Sequence, residues 1–130
     1  HKYYEEIGLG IDFTARDIQN QCKELGHPWE KAKGFDGSAQ ISHKFINKND
    51  LDLNNIYFKL EKNQQIVQNG NSKDMIYSFD YIISYVSKFY TIRAGDLIYT
   101  GTPAGVDKVE IGDKLIGYLE EEKILSVNIK

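Results

Sequence analysis

Apolar side chains recur at every second position over Ile7, Leu9, Ile11 and Phe13, a period of two that predicts a strand. Asp12 falls on the face opposite the apolar set. The chain then changes rhythm. Thr14-Ala15-Arg16-Asp17 has the spacing of a capping box with an acid at its fourth position, so Thr14 is predicted to cap a helix. Ile18, Cys22 and Leu25 follow at i, i+4 and i+7 as a narrow apolar stripe, ended by Gly26 and Pro28. Arg16 and Gln19, three apart, share a face in the first turns. Trp29 to Lys33 reads as a further helical turn, and Gly34-Phe35-Asp36-Gly37-Ser38 as a loop.

Alternation returns at Ile56, Phe58 and Leu60, with Ile66-Val67 as hairpin partner across a weak Asn63-Gln64 turn signal; the polar run from Asn47 to Asn55 reads as a surface connection. Ser78 is predicted to cap a second helix carrying Phe79, Ile82, Ile83, Val86 and Phe89 or Tyr90 at helical spacing. Leu97 to Tyr99 reads as a short strand running into Thr100-Gly101-Thr102-Pro103-Ala104-Gly105. Leu115–Leu119 and Ile124–Ile129 read as a last hairpin around Glu120-Glu121-Glu122. Several short strands, two main helices and no βαβ rhythm give the fold class α+β, predominantly β, with mixed or antiparallel sheet.

Composition narrows the function classes. The 130 residues, 41% of them apolar, suit one domain with its own core. Sixteen Lys and Arg against nineteen Asp and Glu leave a net charge of −3, and no basic run is present, which argues against a nucleic-acid binder held by bulk charge. No apolar stretch approaches the roughly 18 residues of a membrane span. One cysteine, Cys22, excludes an intramolecular disulfide and a multi-cysteine zinc site, and fits a reducing, cytoplasmic setting. The sequence starts at His1 without an initiator Met, and we expect part of the chemistry to lie upstream.

Three places can carry chemistry. Asp12, at a strand end, has the fixed backbone that suits a hard-cation ligand, although such acids more often make local hydrogen bonds. Lys33 can supply positive charge to a carboxylate or a developing oxyanion, although most lysines are solvated. The Thr100–Gly105 turn offers a hydroxyl and backbone N–H groups to an anion. It is not a Walker A loop, and a tight loop chosen for its backbone reads equally well. His27 reads as a loop residue, His43 has no second histidine at ligand spacing, and Cys22 reads as core.

Taken together and in order, Gly10-Ile11-Asp12-Phe13-Thr14-Ala15-Arg16-Asp17-Ile18-Gln19, Pro28-Trp29, Ala32-Lys33-Gly34-Phe35-Asp36-Gly37-Ser38, Met75-Ile76-Tyr77-Ser78, Ile82-Ile83-Ser84-Tyr85-Val86-Ser87 and Gly95-Asp96-Leu97-Ile98-Tyr99-Thr100-Gly101-Thr102-Pro103-Ala104-Gly105-Val106 resemble the fumarylacetoacetate hydrolase family. The similarity is greatest to its small acylpyruvate hydrolase and oxaloacetate decarboxylase branch and spans nearly all of 1–130, as the C-terminal portion of a catalytic domain. The resemblance implies a mixed β-sandwich or roll, a homodimer, and Mg²⁺ or Mn²⁺ held by three carboxylates. Two of these belong to a Glu-x-Glu upstream; the third is matched by Asp12. It implies that Lys33 is the active-site lysine, that Arg16 and Gln19 contact the substrate's carboxylate side, and that the Thr102 hydroxyl holds the substrate carboxylate. Glu5-Glu6 is too close and wrongly spaced to be the missing pair, and Gln40, Ala94 and Asp107 stand where Pro, Pro and Gly are common.

The expected function is therefore a divalent-metal-dependent hydrolase or decarboxylase of C–C bonds in small 2-oxo acids, acylpyruvates or oxaloacetate, working through a stabilised enolate. Two alternatives stand beside it: an isomerase or decarboxylase of aromatic catabolism, of the hydroxyheptadienedioate isomerase type, and an inactive fragment or binding module.

Overall fold

The computed structural model describes residues 3–130. Its elements run β1 (Glu6–Ile7), β2 (Gly10–Asp12), α1 (Arg16–Leu25), α2 (Glu30–Lys33), β3 (Ala39–Ile41), β4 (Ile46–Asn47), β5 (Tyr57–Lys62), β6 (Gln65–Asn71), α3 (Phe79–Val86), β7 (Lys114–Leu119) and β8 (Glu122–Asn128). β1 pairs with β4 and β2 with β3, while β6-β5-β7-β8 form a four-stranded sheet. Every pairing among the described residues is antiparallel, which makes the fold class α+β with a predominance of β. Among the described residues no helix is long and apolar enough to cross a membrane.

The four-stranded sheet carries the core. Ile56, Leu119 and Ile124 form its centre, with Ile7, Leu9, Ile46, Leu51, Leu53, Phe58 and Phe79 packed against them. Ile124 and Leu125 are both buried although they are consecutive, which a regular strand forbids because neighbours point to opposite faces. A bulge resolves this. Gly117 pairs with Leu125 and Tyr118 with Lys123, so Ile124 is the extra residue and turns inward beside its neighbour. The β5–β6 hairpin turns at Asn63 and Gln64, with φ of 52° and 71°, a pair of left-handed residues that matches the twist of the strands. The Asn63 side chain fixes this turn by accepting from the Lys114 N–H and donating to Asp113.

Several sequence expectations change on folding. The first predicted strand is split into β1 and β2 at Gly8-Leu9, where the Leu9 N–H donates to Ser42 Oγ instead of a ladder partner. β3 and β4 lie in stretches with no strand signal. Leu97–Tyr99 is not a strand; Tyr99 is fixed by its side chain. α1 ends as predicted, with Gly26 at φ 65° in the left-handed region. Its start differs: Ala15 is the N-cap residue and Thr14 does not cap. Ser78 does cap α3, accepting from the Tyr81 N–H at 3.2 Å. The apolar stripe of α1 is shallower than its spacing suggests. Leu25 is exposed, whereas Gln19 and Cys22 are the buried positions.

Candidate active site

Asp12 closes β2, and two backbone hydrogen bonds fix the chain just beyond it. Phe13 N–H donates to Ser38 O at 2.8 Å, and Ala15 N–H donates to Ala32 O at 3.0 Å. The second bond docks the start of α1 against α2, where Ala32 is completely buried. The neighbouring Lys33 is thereby aimed back at the strand end. Its Nζ lies 2.6 Å from Asp12 Oδ2 and 2.8 Å from Thr14 Oγ1. Thr14 also donates to Asp12 O at 3.3 Å, so the residue read as a helix cap belongs to this cluster. The pair remains open to solvent, with the Lys33 and Asp12 side chains 34% and 52% exposed.

Arg16 and Gln19 come together on the next helical turn. Arg16 Nη1 donates to Gln19 Oε1 at 2.6 Å. The amide of Gln19 is buried while the guanidinium is at the surface, so Gln19 orients Arg16 while the other guanidinium N–H groups stay available to an anion.

Tyr99 links the cluster to the Thr100–Gly105 segment. Its hydroxyl donates to Gln40 O at 2.8 Å, on β3 directly opposite Ile11. Its ring covers Gly10, where an added Cβ would come within 2.4 Å of the ring, so only glycine admits the tyrosine. Partial burial, and then the nearby Asp12 carboxylate, push the Tyr99 phenol above its usual 10.0 and keep it a hydrogen-bond donor at neutral pH. Three residues further on, Thr102 Oγ1 accepts from Gln68 Nε2 at 2.9 Å. Among the described residues no hydrogen bond joins Thr102 to Asp12 or Lys33; the connection runs through Tyr99.

Of the residues singled out in the sequence, the structure joins Asp12 to Lys33 directly and Arg16 to Gln19 directly, and holds Thr102 against β6. Thr14, Tyr99 and Gln68 were not singled out as site residues. Tyr99 ends an apolar run and lies within the Gly95–Val106 stretch of family likeness, which gave it no role of its own; Gln68 had no signal. No group of three potential ligands for a metal is assembled among the described residues. Asp12 fits as one oxygen ligand, because Lys33 engages only Oδ2. A hard divalent cation takes six or more oxygen ligands, so these residues fit one arm of its shell and not the whole.

The family model for the C-terminal part of fumarylacetoacetate hydrolase matches residues 7–128. The chain belongs to this family. The fumarylacetoacetate hydrolase fold is also evident in solved structures. A family protein from Yersinia pestis CO92 superposes with a TM-score of 0.90 at 41% identity, over 97% of this chain and 59% of that one. Fumarylpyruvate hydrolase from Pseudomonas aeruginosa, determined in complex with Mn²⁺ and pyruvate, matches with a TM-score of 0.87 at 34% identity, over 95% of this chain and 53% of that one. The mitochondrial oxaloacetate tautomerase of Bos taurus is 43% identical over 114 residues, which is 87% of this chain and 51% of that protein. The chain thus spans about half the length of the curated relatives it matches. Family members are enzymes, and this chain is similar to tautomerases, hydrolases and isomerases alike.

Proposed function

We propose that this chain contributes to the active site of an enzyme that enolises or cleaves small 2-oxo acids, with oxaloacetate as the leading substrate and acylpyruvates as the second. The carrying observation is the bridge from Lys33 Nζ to Asp12 Oδ2 and Thr14 Oγ1, on a family member 43% identical to an oxaloacetate tautomerase. A divalent cation bound with Asp12 as one ligand would supply Lewis-acid polarisation of the 2-oxo group.

The remaining roles belong to the chain's own residues. Enolisation moves a proton from the carbon next to the 2-oxo group to a base, a role that none of the residues named here takes, and places negative charge on the 2-oxo oxygen. Lys33, held by Asp12 and Thr14, donates a hydrogen bond from Nζ toward that oxygen. Arg16, oriented by Gln19, offers paired donors to a substrate carboxylate. Thr102 offers its hydroxyl to another. Tyr99 shields one side of the cluster and stays protonated.

Both reactions make the same electronic demand on the site, an enolate oxygen to stabilise, and differ in how that enolate is formed. In tautomerisation the enolate forms by loss of a proton from carbon and is reprotonated on oxygen or carbon. In hydrolysis water adds to the acyl carbonyl of an acylpyruvate, the C–C bond breaks to release a carboxylic acid, and the pyruvate enolate left behind takes a proton at carbon. Support for keeping the hydrolytic version as the second reading comes from a relative, the fumarylpyruvate hydrolase determined with Mn²⁺ and pyruvate. The test is an assay of oxaloacetate keto–enol interconversion and of acetylpyruvate cleavage, each with and without Mn²⁺ or Mg²⁺. Metal-stimulated turnover of either substrate, lost in Lys33→Ala, is expected; undiminished turnover in Lys33→Ala would overturn the assignment.

A further inference from the structure

The Thr100–Gly105 segment has no secondary structure of its own, yet β6 seats it at three points. A Cβ on Gly105 would lie 2.2 Å from Val67 O, and a Cβ on Gly70 would lie 3.0 Å from Pro103 Cγ. Between these two contacts stands Gln68, whose Nε2 donates to Thr102 Oγ1 at 2.9 Å and to Pro103 O at 3.1 Å. The strand is built for this contact. Leu60 pairs with Gln68 but Glu61 pairs with Ile66, so Val67 is an extra residue that bulges next to Gln68. Bulges turn a side chain out of the regular alternation.

The chemistry of the three partners fixes the direction of every proton. A proline carbonyl only accepts, so the group facing it must be the Gln68 NH₂ and not the amide oxygen. That nitrogen has two hydrogens and no lone pair to offer, and spends one hydrogen on each partner. Thr102 Oγ1 is therefore an acceptor in its bond to Gln68, and its own hydroxyl hydrogen takes no protein partner among the described residues. A hydroxyl facing a protein acceptor would spend its hydrogen there; this one faces a donor and keeps its hydrogen to donate outward. A donor is what an anionic carboxylate requires, and an acceptor would repel it.

We infer that Gln68 is a positioning residue that makes Thr102 a dedicated hydrogen-bond donor for the carboxylate of a 2-oxo acid. The inference rests on the reading of Thr102 given above. It adds a residue from β6 to a site whose other members lie on β2, α1, α2 and the Thr100–Gly105 segment.

The experiment titrates the full chain, ¹⁵N-labelled, with pyruvate while following the backbone amides of Gly101, Thr102, Ala104 and Gly105. Thr102→Val, Gln68→Met and the double variant are titrated alongside. Gln68→Met keeps length and bulk on a half-exposed strand position and removes both donors without adding charge. Thr102→Val is expected to weaken pyruvate roughly ten-fold, the loss of one hydrogen bond to a charged group. Gln68→Met is expected to weaken it several-fold in the unsubstituted chain and not at all in the Thr102→Val background. Gln68→Glu, which can only accept and captures the hydroxyl hydrogen, is expected to weaken it more than Gln68→Met.

Equal weakening by Gln68→Met in both backgrounds would overturn the inference, because Gln68 would then merely prop the loop. A null effect of Gln68→Met beside a real effect of Thr102→Val would overturn it while leaving Thr102 in the site. Absence of any amide response in the unsubstituted chain, or an unaffected Thr102→Val variant, would overturn the assignment of Thr102 itself, and this inference with it.

Discussion

Lys33 and Asp12 stand 21 residues apart in sequence and 2.6 Å apart in space. The same ammonium that would serve a substrate oxygen therefore competes with a cation for the Asp12 carboxylate. Lys33→Met should move two observables in opposite directions. Mn²⁺ should bind about five-fold more tightly by calorimetric titration, because a neighbouring unit charge is worth about 1 kcal/mol in water-like surroundings. Turnover of oxaloacetate should fall roughly 100-fold or more, the usual cost of removing a donor to developing negative charge. Thermal stability should hardly change, since an ion pair this exposed contributes about 0–1 kcal/mol.

Two glycines of the Thr100–Gly105 segment separate strain from collision. Gly101 and Gly105 have φ of 113° and 99°, but a Cβ on Gly101 meets nothing within 4 Å while one on Gly105 runs into Val67 O. Gly101→Ala should lower unfolding stability by about 1 kcal/mol, for backbone conformation alone. Gly105→Ala should cost about 2 kcal/mol or more, since the segment must also lift from β6. Urea unfolding of the two variants checks the ranking.

The bulge that turns Ile124 inward makes it the residue on which the core turns. Ile124→Ala should lose about 2–5 kcal/mol of stability, as large-to-small changes in packed cores do. Ile111, 84% exposed, should tolerate alanine within about 0.5 kcal/mol. Denaturant midpoints measured on both decide it.

Ile124 also marks where sequence reasoning stops. The period-two run at residues 56–60 and the last hairpin, whose strand β7 buries Leu115, Gly117 and Leu119 on one face, were legible, and the Ser78 cap and Gly26 stop were legible because each is a local device. A bulge leaves no such mark: Ile124-Leu125 reads as an ordinary apolar pair until its partner strand is known. β3 and β4 are two or three residues long and exist only because β2 and β1 supply partners. In the candidate site, Asp12, Lys33 and the Thr100–Gly105 turn were singled out by residue type and place, and Arg16, Gln19 and Thr102 through family likeness; the structure joins Asp12 to Lys33 and Arg16 to Gln19. Thr14 was misread because its spacing suits a cap, and a lysine 19 residues away claimed its hydroxyl instead. Gln68 was invisible, since a polar residue on an edge strand needs no explanation.

Acid should weaken the turn before β7. The Asp113 carboxyl is held below its ordinary 3.8 first by the backbone N–H of Glu110 and then by the Asn63 amide. A lowered carboxylate stabilises the fold above its unfolded value and loses that contribution as pH falls through its folded value. Asp113→Asn should therefore lower the melting temperature at pH 6, and the gap to the unsubstituted chain should close as the pH is taken below 3.8. A gap that stays constant down to pH 2.5 would remove the carboxylate from this role.

The single tryptophan sits at the entrance of α2, four positions ahead of Lys33. Its carbonyl accepts from the Ala32 N–H, and its ring, 45% exposed, lies 5.2 Å from the Lys23 ammonium. Half in water and half against the protein, the indole acts as a resident fluorophore whose emission colour follows the seating of the turn that carries Lys33. Engagement of ligand, loosening of the lysine and global unfolding can thus each be watched in the native chain, at one excitation wavelength and without a dye.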